Sequence, residues 1–215
     1  EWALEKHPLT SIERNIGANT LLFSTDGTSV YFNANALDVL YNNKPPERRI
    51  VPGADPKTFV MLAGFLDYYN NAKQDGTVAQ YAYGRDQDKI YYRDIQIVGA
   101  DPGTFLPIEN GGYVHSYAMD KSSAYYMDKR IPGSDPETFE ILWQYPKEGC
   151  IGGSYSKDKS HVYFKDVPIV GADPKTFNVL IGDESYAIDG IHVYKAGDVL
   201  PGADPKAFVS MCSYG

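Results

Sequence analysis

The sequence predicts a mainly β protein with short helices, an α+β chain built from five tandem repeats. Three observations carry this prediction. A heptapeptide of the form Gly-Ala-Asp-Pro-Lys-Thr-Phe recurs with few changes at 53–59, 99–105, 133–139, 171–177 and 202–208. Upstream of each copy, an aromatic is followed three residues later by Asp and five residues after that by Tyr. Between these markers lie short stretches rich in β-branched and aromatic residues, such as His161-Val162-Tyr163-Phe164, set off by turn formers. Self-similarity of this kind is the mark of a repeat architecture.

The heptapeptide reads as a tight turn into a helix. Its Asp (Asp55, Asp101, Asp135, Asp173, Asp204) is a capping residue, because the carboxylate accepts from the free N–H groups of a first turn. Pro at the first helical position loses no hydrogen bond. The Phe four after the Asp has an apolar partner three further on (Leu62, Ile108, Leu142, Leu180, Met211), the spacing of one helical face. An array of five Asp residues handling a metal or an anion is the competing idea. It fails because Asp-Pro brings no second acidic group to ligand spacing.

Upstream, the aromatics Phe23, Tyr83, Tyr117, Tyr155 and Tyr186 lead to Asp26, Asp86, Asp120, Asp158 and Asp189, and then to Tyr31, Tyr91, Tyr125, Tyr163 and Tyr194. Polar turn residues flanked by such stretches predict a β-hairpin. A turn with two central residues puts the leading aromatic on one face with the residues four and six after the Asp, whereas a bulged three-residue turn pairs it with the recurrent Tyr. Each unit is therefore expected to be a hairpin, a third extended piece, a turn and a short Asp-Pro-capped helix, with the units forming a curved array. The repeats run at about 21–62, 81–108, 115–142, 153–180 and 184–211 of a single domain, 21–215. Residues 1–20 are an N-terminal extension expected to cap the first unit.

Variation concentrates in the connectors. The first unit carries an insertion at 34–49, and a long connector spans 63–80. Their aromatics and arginines, Tyr41, Arg48, Arg49, Tyr68 and Tyr69, together with Trp143 and Tyr145 before the fourth unit, are the candidate partner-binding residues, since such side chains dominate interface energetics.

Composition bounds the rest. The chain has 215 residues, 43% of them hydrophobic, with 18 Tyr. A net charge of −8 argues against nucleic acid, whose backbone demands a basic face, and suits a basic partner. No apolar run approaches a transmembrane segment. A chain opening on Glu1-Trp2 is read as one that has lost an export signal or a tag. Cys150 and Cys212 are either bridged or two lone thiols. A bridge would contribute about 4 kcal/mol and would imply an oxidising compartment. Among the four histidines, His161 and His192 occupy equivalent strand positions and read as parts of the repeat. No nucleophile elbow, phosphate loop, zinc spacing or dinucleotide fingerprint appears, so no catalytic residue, metal or cofactor is nominated and the chain is read as a non-enzyme.

At Asp120-Lys121-Ser122-Ser123-Ala124-Tyr125-Tyr126 and Asp158-Lys159-Ser160-His161-Val162-Tyr163-Phe164, each followed downstream by a heptapeptide, the chain resembles the bacterial DKNYY family over about 21–215. The turn departs from the family's pattern at Asp26-Gly27-Thr28, Asp86-Gln87-Asp88-Lys89 and Asp189-Gly190-Ile191. The resemblance implies a bacterial, often exported protein without catalytic residues, some members being similar to immunity partners of secreted antibacterial toxins, lipase effectors of contact-dependent secretion systems included. The expectation is thus a non-catalytic, protein-binding module, periplasmic or otherwise exported to the envelope, whose partner is a protein toxin. An envelope structural or glycan- and peptidoglycan-binding module is the alternative.

Overall fold

A computed structural model describes residues 14–15, 22–36, 44–66, 80–110, 113–142, 154–180 and 186–209. The chain divides into two compact units, Glu1–Lys121 with Tyr125–Lys129 and Ser122–Ala124 with Arg130–Gly215. In both the architecture is mainly β, in small antiparallel sheets.

The first unit opens with β1 (Arg14–Asn15), β2 (Phe23–Thr25), β3 (Val30–Asn33) and β4 (Arg48–Ile50). It continues with β5 (Val60–Leu66), β6 (Gln80–Arg85), β7 (Ile90–Tyr92) and β8 (Ile95–Gln96). β2, β3 and β4 form a three-stranded sheet, and β1, β5, β6, β7 and β8 a five-stranded one in that order. β9 (Leu106–Asn110) and β10 (Tyr113–Met119) pair antiparallel. Tyr125 and Tyr126 of β11 (Ala124–Tyr126) also belong to this unit.

β12 (Lys129–Arg130) leads into the second unit, which holds two sheets. One is formed in order by β13 (Glu140–Ile141), β14 (Tyr155–Lys157), β15 (Val162–Phe164) and β16 (Val167–Pro168). The other is formed by β17 (Asn178–Val179), β18 (Tyr186–Ile188), β19 (Val193–Lys195) and β20 (Asp198–Val199).

The hairpin alternatives left by the sequence resolve in favour of the two-residue turn. Tyr83 faces Tyr92, Gly84 faces Tyr91 and Arg85 faces Ile90, and Asp86 N–H donates to Lys89 O at 3.0 Å, leaving Gln87 and Asp88 as the central pair. The leading aromatic therefore shares a face with the residues four and six after the Asp. In the second, fourth and fifth repeats the second hairpin is equally tight: Tyr92 pairs with Ile95, Phe164 with Val167 and Lys195 with Asp198. The first turn residue there is left-handed although it is not glycine, at φ 57° for Arg93, 59° for Lys165 and 52° for Ala196.

The expected helices do not form. None of the five heptapeptides is helical; each makes one turn and stops. Phe59 N–H reaches Asp55 O at 3.0 Å and Thr58 N–H reaches the same oxygen at 3.3 Å, but Val60 already lies in β5. The signals that start a helix are satisfied within one turn, and so short a helix is unstable by itself. The apolar residues at helical spacing instead lie in extended chain: Leu62 on β5, Ile108 on β9, and Leu142 just past β13.

The core is aromatic. Phe59 lies against Phe23 of its own repeat at 5.1 Å between ring centroids, and against Tyr91 of the next at 5.7 Å. Phe105 does the same with Tyr83 and Tyr125, and Phe177 with Tyr155 and Tyr194. Tyr83, Tyr91, Tyr117, Tyr125, Tyr155, Tyr163 and Tyr194 are all fully buried. Among the described residues the tyrosines thus serve mainly as interior packing, in tilted and edge-on pairs.

Candidate interaction surface

Any docking surface depends on how firmly successive repeats are held, and the recurrent upstream Asp does that work. Oδ1 of Asp158 accepts the backbone N–H groups of Ser160 and His161, both at 2.7 Å, and so closes the hairpin turn. Its Oδ2 accepts the Tyr163 hydroxyl at 2.7 Å and the backbone N–H of Asp135, in the preceding heptapeptide, at 2.9 Å. Asp86 does the same with Asp88, Lys89, Tyr91 and Asp55, and Asp189 with Ile191, His192, Tyr194 and Asp173. Asp120 takes the Tyr125 hydroxyl and Asp101 N–H. All four aspartates are buried.

A second bond runs alongside. The heptapeptide Thr offers its hydroxyl oxygen to the next turn: Gln87 N–H donates to Thr58, Lys121 to Thr104, Lys159 to Thr138 and Gly190 to Thr176. Lys121 also pairs with Asp101, and Lys159 with Asp135 at 2.8 Å.

Electrostatics follow from this bonding. Burial pushes the carboxyls of Asp158 and Asp189 up, but the tyrosine hydroxyl and three backbone N–H groups outweigh it and hold both below the usual carboxylate range. Burial, then the bonded carboxylate, raises the hydroxyls of Tyr91, Tyr163 and Tyr194. Burial likewise pushes Tyr155 up to about 12. Tyr163 and Tyr194 are neutral donors to the ionised Asp158 and Asp189, an arrangement that fixes structure.

What the frame presents outward is the last strand of its sheets. β4 is the edge of its sheet, with Arg48, Arg49 and Ile50 opposite Asn33, Phe32 and Tyr31, and all three are exposed. The chain entering β4 is tied to the end of β3, since Asn35 Oδ1 accepts Glu47 N–H at 2.6 Å and Asn35 Nδ2 donates to Pro45 O at 3.0 Å. Arg49 and Glu47 pair at 3.4 Å in solvent, a contact of small energetic weight. Exposed apolar residues recur along the other edges, with Ile95 on β8, Val167 on β16 and Val199 on β20.

Of the sequence-predicted contact residues, Arg48 and Arg49 thus come together on one exposed edge. Tyr41, Tyr68, Tyr69, Trp143, Tyr145, Cys150 and Cys212 lie outside the described residues. The heptapeptide aspartates each accept the N–H two residues on, as Asp55 does from Lys57, Asp101 from Gly103, Asp135 from Glu137, Asp173 from Lys175 and Asp204 from Lys206. They close a turn rather than cap a helix. Sequence reasoning missed the buried Asp–Tyr pair. Its signal was present as the constant five-residue offset between the two.

Among the described residues no helix is long and apolar enough to cross a membrane. Residues 83–214 match the model of the DKNYY family. No curated protein and no solved structure matches the chain.

Proposed function

The chain belongs to the DKNYY family, and from that premise we propose that it is a non-catalytic protein-binding module, most concretely a periplasmic immunity protein that binds and inhibits a secreted antibacterial toxin. A lipase effector of a contact-dependent secretion system is the leading class of target. The observation that carries this reading is the β4 edge. A strand at the rim of a sheet offers unpaired backbone groups to another chain, and here it adds two arginines and an isoleucine 59% exposed. In a protein of net charge −8 such a patch is a local reversal of sign, suited to acidic groups on the partner. Repeats bonded in tandem give it rigid support, which lowers the ordering cost of binding. The glycan alternative is less favoured, because the recurrent tyrosines it would use for stacking are interior.

The test is capture of the tagged protein from the source bacterium during toxin secretion, followed by mixing with the purified partner. A stoichiometric hydrolase whose activity falls on mixing, and whose affinity drops at least tenfold for Arg48→Glu with Arg49→Glu, is the expected result. Cell-wall fragments as the sole capture, or an affinity indifferent to both charge reversals, overturns the reading.

A further inference from the structure

The third repeat alone pairs a serine in its hairpin turn with a serine in its heptapeptide. Where the equivalent turn residue is Lys89, His161 or His192 in the second, fourth and fifth repeats, it carries Ser123, as the first repeat carries Ser29, and where every other heptapeptide has Ala it carries Ser134. Ser134 Oγ accepts Ala124 N–H at 2.8 Å and donates to Ile131 O at 2.9 Å. Ser123 Oγ donates to Ser122 O at 2.6 Å and accepts Nε–H of Arg130, also at 2.6 Å. Beside them lies a shallow groove of ≈ 460 Å³ lined by Ser122, Ser123, Arg130, Pro132, Gly133 and Ser134.

We propose that Arg130 and this groove form a binding site for a carboxylate. The guanidinium is fixed through Nε by a serine only 2% exposed, so its outer edge, with both terminal nitrogens, is presented in a set orientation. That edge is the fork that matches the two oxygens of a carboxylate. No acidic residue lines the groove, and among the described residues Arg130 has no ion pair, although the chain carries 28 acidic side chains. The hydroxyl protons of Ser123 and Ser134 are committed to backbone carbonyls, so they cannot serve the third oxygen of a phosphate. The net charge also penalises a dianion more than a monoanion. A planar, singly charged group is what the site can satisfy. This inference does not depend on the identity of the toxin partner.

The test follows the side-chain Nε–H resonance of Arg130 in the 15N-labelled full chain at constant ionic strength, during titration with acetate, with an amide-capped peptide bearing one Asp, and with inorganic phosphate. Saturable shifts with acetate and with the peptide are expected. Tighter binding of the peptide assigns the site to a protein side chain, and tighter binding of acetate to a free carboxylate. Arg130→Lys, which keeps the charge and loses the fork, should weaken binding roughly tenfold. Ser123→His, which restores the residue of the last two repeats and fills the groove, should abolish it. Unchanged thermal midpoints show that both variants fold. A phosphate response stronger than acetate, no saturable response to either carboxylate, or wild-type affinity in Ser123→His overturns the proposal.

Discussion

The hydroxyl of Tyr194 donates to Oδ2 of Asp189 at 2.6 Å, and the same oxygen accepts the backbone N–H of Asp173 from the repeat before. One carboxylate thus closes its own hairpin turn, fixes a buried tyrosine and holds the preceding heptapeptide. The arrangement recurs at Asp86 and Asp158.

Replacing such a residue isosterically should be costly. Asp158→Asn puts an N–H₂ where backbone N–H groups converge, leaving buried donors without an acceptor. We expect a loss of about 3 kcal/mol. Asp26, which is exposed, accepts among the described residues from its own turn and Tyr31. Asp26→Asn should cost less than about 1 kcal/mol. Urea unfolding of the two variants measures the contrast, and equal costs would remove the inter-repeat role.

Packing demands a glycine at Gly84 of β6. A Cβ there would drive into the ring of Phe59, with Cε1 and Cε2 at 2.9 and 3.2 Å behind the closest atom. Gly84→Ala should destabilise by about 1–3 kcal/mol through overpacking. Combined with Phe59→Leu it should cost less than the two changes summed, since the shorter side chain removes the clash. Denaturation of the full double-mutant cycle tests this, and strict additivity would contradict the contact.

Stability should decline at both ends of the pH scale. Asp158 and Asp189 have folded pKa values below the ordinary one of about 3.9, so their stabilisation is present above that pH and is lost as pH falls through the lower folded values. Tyr163 and Tyr194 have raised values, so their contribution is fully present below about pH 10 and is lost as pH rises toward the folded values. Thermal midpoints across pH should fall on both flanks. Tyr194→Phe should be less stable at neutral pH and show a shallower alkaline decline.

Ala196 lies at φ 52° in a two-residue turn. Asn tolerates that conformation and β-branched residues do not. Ala196→Asn should be neutral or slightly stabilising, and Ala196→Val should cost more than about 1 kcal/mol. Melting temperatures of the pair give the comparison, and a tolerated Val would show that the turn relaxes.

The hairpins and their aromatic faces were legible because strand periodicity and turn chemistry are local. The buried Phe of each heptapeptide was legible too, from its recurrence. The helices were misread because Asp-Pro and a three-residue apolar spacing suit a helix and a single turn running into a strand equally well. Phe59 and Leu62 illustrate this, with the first closing the turn and the second already in β5. The Asp–Tyr bond was not legible as a contact, since a five-residue offset has no meaning until the hairpin turn is known. The Arg130 groove is lined by two serines ten or so positions apart, whose meeting depends on the fold.

Ala207 replaces the threonine that would hold a following turn, and in the first repeat Gly27 N–H turns instead to the hydroxyl of its own Thr25 at 3.0 Å. The first and fifth repeats thus differ from the second, third and fourth in these bonds. A duplication event that copied one interior repeat in place would find donors and acceptors waiting on both flanks. The same copy appended after residue 208 would meet an alanine where its turn needs an oxygen. An inserted repeat would thus be held by a few hydrogen bonds from its neighbours' heptapeptides, and a Thr in the preceding heptapeptide supplies one of them.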